Sequence, residues 1–201
     1  LAFDKADEYR MPAMILADGM LGQMMEPVTL PEPVKELPKK EWAACGHENK
    51  RPHNIVNSLY IEPDELERLV DERYERYAHI QATEQRAECI MTEDADIVVV
   101  AFGATARIAM SAVRAARQEG IKAGVIRPIT LWPFPNDILK ETAKTAKAFL
   151  TVEMSKGQMV DDVKLAVECA KPVHFFGRTG GMIPTPDEVL SAIKKAEKGE
   201  F

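Results

Sequence analysis

Three residues of the types that bind zinc, Cys45, His47 and His53, lie close together in the first part of the sequence. A structural zinc site is usually built from four Cys or His ligands at characteristic spacings. This segment supplies neither a fourth ligand nor one of those spacings. The sequence therefore gives little support for a metal site, and we predict that the chain itself binds no metal.

Glu153 follows the apolar run KAFLTV, which places it at the end of a predicted strand and shortly before Gly157. A carboxylate at that position could act as a general acid or base. The segment EMSKGQM, however, contains no histidine and no second carboxylate that would complete an acid–base pair. We therefore predict no catalytic residue in this chain.

Two glycine-containing loops could bind an anion. The segment FGATA places Gly103 and Thr105 at a predicted helix start, where backbone N–H groups can bind a phosphate. The segment GRTGG combines Arg178 with Gly180 and Gly181, which allow close approach of the backbone. The sequence contains no GxGxxG or GxxxxGKS/T motif. A tight turn with a helix cap is therefore favoured for FGATA, and an interface loop for GRTGG.

A third loop, RPITLWPFP, is rich in proline and aromatic residues. Pro128, Pro133 and Pro135 restrict its backbone, and Trp132 and Phe134 lie between them. Tryptophan and phenylalanine are typical of buried contact surfaces, so this loop indicates a contact with another domain or subunit. The chain also lacks the GxSxG motif of serine hydrolases and the cysteine-rich run of an iron–sulfur protein.

These loops connect strands and helices that alternate from Glu84 onward. The predicted strands are AECIMT, ADIVVVAF, IKAGVIRPI, KAFLTVEMS and KPVHFFG. The predicted helices are ATARIAMSAVRAARQEG, PNDILKETAKTA, GQMVDDVKLAVECA and TPDEVLSAIKKAEKG, the last with Thr185 and Glu188 at capping-box spacing. Such alternation predicts a three-layer α/β fold with a mostly parallel sheet. Ligand sites of such sheets lie in the loops at the carboxyl ends of the strands.

The part of the sequence before this pattern is less regular. Leu1 to Tyr9 is predicted to form a short helix, Met14 to Ala17 a buried strand, and Met20 to Met25 the apolar start of a helix. A stiff linker follows, because prolines interrupt it at Pro27, Pro31, Pro33 and Pro38. A helix is then predicted from Pro63, with Asp64 and Glu65 in its first turn.

Composition limits the possible functions of the chain. Its 201 residues are 46% apolar and 29% charged, with a net charge of −6, and no basic stripe suggests a nucleic-acid partner. No apolar run approaches the roughly 20 residues of a membrane helix. The three cysteines are odd in number and far apart, which favours reduced thiols in the cytoplasm. The start at Leu1 suits a fragment or a processed chain.

Several segments together carry a resemblance to a known family. They are MILADGMLGQMMEPV, RPHNIVNSLYIEPDELE, DADIVVVAFGATAR, GVIRPITLWPFP, VEMSKGQMVDDVKLAV and GRTGGMIPTPDEVL. The chain resembles the α-type subunit of the 2-oxoacid:ferredoxin oxidoreductases, in particular the 2-ketoisovalerate branch. The resemblance covers almost the whole chain in the same order.

This resemblance implies the domain organisation. Residues 1–30 would be the remnant of a thiamine diphosphate pyrimidine-binding domain, and residues 31–62 a Pro-rich linker. Residues 63–201 would be a domain similar to the carboxyl-terminal domain of transketolase, whose first strand runs antiparallel. The strand predicted at Met14 to Ala17 would then be the last strand of the preceding domain.

The resemblance also implies a reaction. The whole enzyme decarboxylates a 2-oxoacid on thiamine diphosphate, with magnesium, passes electrons through iron–sulfur clusters to ferredoxin, and transfers the acyl group to coenzyme A. The activating glutamate of the family lies upstream, and the diphosphate and magnesium site lies on a partner subunit. This implies that no cofactor is held by this chain alone and that it is inactive by itself.

Partners implied by the resemblance are the thiamine-binding β-type, γ-type and ferredoxin-type subunits, and self-association is expected. Residues carried over as interface or loop-shaping positions are Gly103, Thr105, Arg127, Thr130, Pro133, Glu153, Gly157, Gln158, Arg178, Gly180 and Gly181. An alternative is a module that binds coenzyme A or another anion through FGATA and GRTGG. For the substrate, a branched-chain 2-oxoacid is favoured over 2-oxoglutarate and pyruvate.

Overall fold

A computed structural model describes residues 1–33 and 39–201 of the chain. Its residues form two compact units. The first unit consists of Leu1–Leu16 and Gln23–Ala78, and the second of Ala17–Gly22 and His79–Phe201. Pro38 of the predicted linker lies outside the described residues.

The first unit contains little regular structure besides helices. Helix α1 spans Ala2–Tyr9 and helix α2 spans Pro63–Thr83, the last residues of which belong to the second unit. Both helices were predicted from the sequence, and Asp64 and Glu65 lie in the first turn of α2 as expected. Among the described residues up to His79, no side chain is buried. The described residues of this unit therefore form no apolar core.

The prediction of a buried strand at Met14 to Ala17 is wrong. Residues 12–18 have no regular structure, and the side chains of Met14, Ile15 and Leu16 are 61–80% exposed. A strand is held by hydrogen bonds to a neighbouring strand. All five strands of the sheet formed by the described residues lie between Ala87 and Gly177, and each pairs only with other strands of that range. The helix predicted at Met20 to Met25 is reduced to a 3-10 turn, Leu21–Gln23.

The second unit is built on a five-stranded sheet. Its strands are β1 (Ala87–Ile90), β2 (Ile97–Val100), β3 (Ala123–Pro128), β4 (Ala148–Glu153) and β5 (Val173–Gly177). They lie side by side in the order β1-β3-β2-β4-β5. Strand β1 is antiparallel to β3, and all other neighbours are parallel. The predicted mostly parallel sheet with one antiparallel first strand is therefore confirmed.

Helices cover both faces of this sheet and complete the three layers. They are α3 (Gly103–Gln118), α4 (Asn136–Ala143), α5 (Met159–Ala166) and α6 (Pro186–Lys198). Helices α3 and α6 pack on one face, and α4 and α5 on the other. The capping box predicted for α6 is present, with Thr185 and Glu188 bonded to each other's backbone N–H groups.

Side-chain alternation along the strands divides the apolar core between the two faces. In β2, Ile97 and Val99 point toward α3 and α6, whereas Val98 and Val100 point toward α4 and α5. All four side chains are at most 1% exposed. A strand buried on both faces is a continuous β-branched run, which explains the sequence IVVV.

The described helices include none that is long and apolar enough to span a membrane.

Candidate functional site

The loops after β2, β3, β4 and β5 all leave the sheet at the carboxyl ends of parallel strands. This is the edge at which open α/β sheets bind ligands. The predicted positions from Gly103 to Gly181 lie in these loops, at the strand ends beside them or in the first turn of α3. The parallel topology therefore brings together residues that are far apart in the sequence.

Glu153 ends β4 and is only 6% exposed. Its Oε2 atom accepts hydrogen bonds from Ser155 Oγ at 2.9 Å, from Gln158 N at 3.1 Å and from Met159 N at 3.2 Å. Its Oε1 atom accepts one from Val160 N at 3.0 Å. The carboxylate therefore satisfies the N–H groups that begin α5, and its charge favours the positive end of that helix.

This geometry speaks against a catalytic acid or base at Glu153. Its oxygen atoms are committed to donors of its own loop, and Gly157 N donates in turn to Ser155 Oγ at 3.0 Å. Nearby, the pKa of Asp162 is raised by partial burial and by the carboxylates of Asp161 and Glu153. The local negative charge therefore opposes a further anion beside α5.

Two glycines allow the backbones of neighbouring loops to approach closely here. Gly157 has a φ of 107°, and a Cβ atom on it would lie 3.1 Å from Val160 Cγ1. A Cβ atom on Gly177, which ends β5, would lie 2.5 Å from the carbonyl oxygen of Ser155. The loop after β4 thus packs against the end of β5 with no room for a larger residue.

The FGATA loop binds a carboxylate of the same chain. Asp18 Oδ2 accepts a hydrogen bond from Ala104 N at 3.3 Å, and Asp18 Oδ1 accepts one from Leu21 N at 2.8 Å. Gly103 has a φ of 61°, and Thr105 Oγ1 donates to the carbonyl oxygen of Phe102 at 2.7 Å. The predicted turn at a helix start is present, and the carboxylate of Asp18 is bonded to the N–H group of Ala104.

The loop after β3 is tied to the segment that leads into β1. Thr130 Oγ1 accepts a hydrogen bond from Arg86 N at 3.0 Å, and Arg127 Nε donates to Glu88 Oε2 at 2.8 Å across the strand pair. The peptide bond between Trp132 and Pro133 is cis. These contacts fix the path of the loop on the antiparallel edge of the sheet.

The two aromatic residues of this loop have different environments. Phe134 is 9% exposed and packs in the core beside α4 and α5, whereas Trp132 is 52% exposed. The expected contact surface therefore includes Trp132, and Phe134 instead fills the chain's own core. Helix α4 begins just beyond, where Asp137 N donates to Gln85 Oε1 at 3.1 Å.

The loop after β5 holds its arginine in an ion pair. Arg178 Nη1 bonds Glu188 Oε1, and Arg178 N donates to the carbonyl oxygen of Glu153 at 3.2 Å. Gly180 and Gly181 have φ values of 66° and 83° and are exposed. Arg178 is thus neutralised by a carboxylate of α6, and an external anion would have to compete with that pair.

A single rule describes all four helix starts at this edge. A backbone N–H in the first turn of α3, α4, α5 and α6 donates to a side chain of this same chain, from Asp18, Gln85, Glu153 and Thr185, respectively. Helix starts are natural anion sites because their first N–H groups have no partner within the helix. Here at least one such group in each helix is already bonded.

Three of these caps were not predicted from the sequence: Glu153 was considered only in other roles, and Asp18 and Gln85 were not singled out. Asp18 is separated from Ala104 by 86 positions, and Gln85 from Asp137 by 52. Local patterns such as the capping box at Thr185 identify only caps that are adjacent in sequence. Only the fold shows which helix Asp18 reaches.

The zinc-type residues of the first unit do not form a metal cluster. The rings of His47 and His53 lie 4.0 Å apart and are tilted by 58°. His47 Nδ1 accepts a hydrogen bond from Asn49 N at 3.1 Å. Within residues 1–33 and 39–201, no group of three or more His, Cys, Asp or Glu side chains is arranged to hold a metal ion.

The family of the second unit follows from its sequence. Residues 95–189 match the pyruvate:ferredoxin oxidoreductase core domain II, a stretch that runs from just before β2 into the first residues of α6. This unit therefore contains a domain of that family, and the resemblance predicted from the sequence segments is confirmed.

Known relatives extend the similarity to the first unit. The chain is 44% identical to the ketoisovalerate oxidoreductase subunit VorB of Methanothermobacter marburgensis over 96% of its length, and it covers 55% of that subunit. It is 30% identical to the 2-oxoglutarate synthase subunit KorA of the same organism, of which it covers 58%. The chain thus spans little more than half the length of these curated relatives.

Solved structures support the fold. A 2-oxoglutarate:ferredoxin oxidoreductase from Magnetococcus marinus, with 2-oxoglutarate, coenzyme A and succinyl-CoA bound, has a TM-score of 0.56 at 19% identity over 68% of this chain and 24% of that one. A split-gene transketolase, an inactive β4 tetramer, has a TM-score of 0.50 at 24% identity over 58% of this chain and 42% of that one. At these identities the similarity shows the α/β fold alone.

Proposed function

We propose that this chain is part of the α-type subunit of a 2-oxoacid:ferredoxin oxidoreductase and that its role is assembly. The enzyme would decarboxylate a branched-chain 2-oxoacid, form the acyl-CoA and reduce ferredoxin. The family is supported by the core domain II match, and the branched-chain substrate by the 44% identity to a ketoisovalerate oxidoreductase subunit. The identity to a 2-oxoglutarate synthase subunit is lower, at 30%.

The assembly role is supported by the loops at the carboxyl ends of the strands, where helix starts are capped and apolar side chains are exposed. The starts of α3, α4, α5 and α6 each bond a side chain of the same chain, so an anion at any of them would compete with that side chain for first-turn N–H groups. Large apolar side chains in the same loops are exposed instead: Ile129 by 49%, Trp132 by 52% and Met182 by 54%. Exposed apolar residues gathered at one edge are typical of a protein interface.

The cofactors of the whole enzyme do not fit the described residues. Thiamine diphosphate requires magnesium held by oxygen ligands, and iron–sulfur clusters require several thiolates. In the described part of the chain, no group of three or more His, Cys, Asp or Glu side chains is arranged to hold a metal ion. We therefore assign no catalytic step to this chain and propose that the cofactors lie elsewhere in the enzyme, on or beside the β-type, γ-type and ferredoxin-type subunits.

The domain boundaries are part of this proposal. Residues 1–30 would be the end of a pyrimidine-binding domain, residues 31–62 a linker and residues 63–201 the transketolase-like domain. The exposure of Met14, Ile15 and Leu16 supports this division, because apolar side chains of that kind are normally covered. We also propose a cytoplasmic location, in keeping with the exposed free thiols of Cys45, Cys89 and Cys169.

A substrate panel tests the proposed activity. The complete subunit that contains this chain is purified with its partner subunits, and reduction of methyl viologen is measured with coenzyme A and each 2-oxoacid. We expect the highest kcat/KM with 3-methyl-2-oxobutanoate. Higher kcat/KM with 2-oxoglutarate or pyruvate would move the assignment to the corresponding branch, and reduction by none of them would contradict the family function.

The isolated 201-residue chain provides the complementary test. We expect no viologen reduction and no heat of binding with thiamine diphosphate and magnesium, because the described residues offer no ligand set for them. The complete enzyme serves as the positive control in both measurements. Turnover by the isolated chain would contradict the assembly role.

Binding of coenzyme A by this chain is the alternative function, and the geometry gives it less support. Asp18 lies at the N–H group of Ala104, and Arg178 is paired with Glu188. An anion at FGATA would therefore have to displace a carboxylate. Titration calorimetry of the isolated chain with coenzyme A tests this alternative, since only a binding module would give a saturable signal.

We also propose that the chain associates with a second copy of itself. Trp132 and Met182 expose apolar area in the second unit, as Met24 and Met25 do in the first. Sedimentation velocity at several concentrations should reveal a dimer that weakens when Trp132 is changed to Lys. Leu165→Lys is a matched control, because Leu165 is 74% exposed on α5 and away from the carboxyl-edge loops. A monomer at all concentrations would contradict self-association.

A further inference from the structure

Residues 17–22 form a strap across the start of α3. They belong to the second unit, although residues 23–78 separate them from the rest of it in sequence. Asp18 is half-buried and bonds two backbone N–H groups at once: Leu21 N within the strap at 2.8 Å and Ala104 N in α3 at 3.3 Å. One carboxylate therefore holds both the strap's own turn and the first turn of the helix.

Helix α3 depends on this distant carboxylate because its own cap residue offers nothing. The cap position is Phe102, which has extended backbone angles but a side chain with no hydrogen-bonding atom. In α6 the equivalent position is Thr185, which accepts a hydrogen bond from Glu188 N at 3.2 Å. Serine, threonine, aspartate and asparagine are the residues that normally cap a helix. Asp18 therefore caps α3 in place of Phe102, although it is distant in sequence.

The fit between strap and helix is close. A Cβ atom on Gly103 would lie 3.2 Å from Asp18 Oδ2 and 3.8 Å from Leu21 Cδ1. Gly103 also has a φ of 61°, in the left-handed region that favours glycine. The residue that lets the chain turn into α3 is therefore also the residue that makes room for the strap.

We propose that the strap, residues 17–22, and the first turn of α3 open and close cooperatively, because Asp18 bonds a backbone N–H group of each. In the closed state Asp18 bonds Leu21 and Ala104 together. In the open state neither Leu21 N nor Ala104 N is bonded to Asp18, and the start of α3 is exposed to solvent at the carboxyl edge of the sheet. Asp18 is a positioning residue for the β2–α3 loop and takes no part in chemistry.

Asp18→Asn separates this coupling from a simple surface contact. An amide group has one acceptor oxygen, whereas the carboxylate uses both of its oxygens for two different donors. The substitution should therefore break one of the two bonds while keeping the size of the side chain. If the opening is cooperative, amide hydrogen exchange should become about fivefold faster at both Leu21 and Ala104, as for loss of a helix cap.

Thr185→Ala in the 201-residue chain is the matched control, because it removes a cap that is local to α6. It should speed exchange at Glu188 by a similar factor and leave Leu21 and Ala104 unchanged. The coupling is refuted if Asp18→Asn speeds exchange at only one of Leu21 and Ala104, or at neither.

A double-mutant cycle gives a second readout through stability. Gly103→Ala adds a Cβ atom against Asp18 Oδ2 and strains the left-handed backbone. In an Asp18→Ala background the crowding disappears and only the strain remains. Gly103→Ala should therefore lower the folding equilibrium constant by a smaller factor in that background than in the natural chain. Equal factors in the two backgrounds would refute the strap, because the two positions would then be independent.

Discussion

The two units of the chain use similar apolar residues in opposite ways. In the second unit, Val98, Val99 and Leu150 are completely buried in two clusters on either side of the sheet. In the first unit, Ile55 is 84% exposed and Ile15 is 75% exposed. The apolar side chains of the second unit are buried because they pack on a sheet. Apolar content alone does not bury side chains.

This contrast has a consequence for folding. A segment that buries no apolar surface gains little free energy to offset the loss of chain entropy. The second unit meets that requirement with a double-faced core, and the described residues of the first unit do not. We therefore propose that the apolar side chains of the first unit become buried only against other parts of the enzyme.

The largest expected effect is in hydrogen exchange. Amides of β2 and β4 should exchange only when the whole second unit unfolds, whereas those of Leu1 to Pro27 outside the strap should exchange through local opening. We expect exchange rates to differ by at least about a thousandfold at neutral pH. The measurement is mass spectrometry of peptides from dilute, monomeric chain. Equal protection of the two regions would contradict the proposed domain boundary.

Matched substitutions to alanine should show the same contrast in free energy. Ile126 is fully buried in β3, so Ile126→Ala should lower the free energy of unfolding by roughly 2–5 kcal/mol. Ile55→Ala removes the same atoms from an exposed position of the first unit and should change it by less than about 0.5 kcal/mol. Urea denaturation followed by circular dichroism measures both. A comparable loss in the two variants would show that the first unit has a core in solution.

Loss of the buried carboxylate at the start of α5 should have an intermediate effect. Glu153→Gln keeps the shape of the side chain but removes the charge and one acceptor from a group that bonds several donors. We expect the free energy of unfolding to fall by roughly 1–3 kcal/mol. Glu141→Gln is the control, because Glu141 forms an exposed pair with Lys144 that contributes at most about 1 kcal/mol. A smaller effect at Glu153 than at Glu141 would contradict a structural role for the buried carboxylate.

Most of the second unit could be predicted because its signals are local. The run IVVV, the capping box at Thr185 and the alternation of strands with helices each fix an element from a few neighbouring residues. The strand at Met14 to Ala17 was predicted by the same reasoning and is wrong. Four apolar residues in a row are compatible with a strand, but only hydrogen bonds from a neighbouring strand can make one.

The candidate site was predictable only in part for the same physical reason. Glu153 and Gly157 could be placed at a strand end, and their loop follows from that position. The bonds of Asp18 to Ala104 and of Gln85 to Asp137 join residues that are distant in sequence. Such contacts depend on the packing of the whole unit, and no pattern within a window of the sequence specifies them.

The smallest expected effect is a dependence of stability on pH that arises from the second unit alone. His174 lies in β5 opposite Leu150, and the ring of Phe201 stacks on it with centroids 4.6 Å apart. Burial lowers the pKa of His174 below its ordinary value. The unfolded chain, in which a histidine titrates at about pH 6.5, therefore binds more protons than the folded chain just below that pH. The stability associated with neutral His174 is full above this value and decreases as the pH falls through the lower pKa of the folded state.

Replacing His174 with Gln should remove this part of the pH dependence when the melting temperature is measured between pH 5 and pH 7.5, a window set by the ordinary titration of histidine at about 6.5. His53→Gln, at an exposed position of the first unit, is the matched control. If His174→Gln shows the same profile as the natural chain, burial does not lower the pKa of His174 in solution and the prediction is wrong.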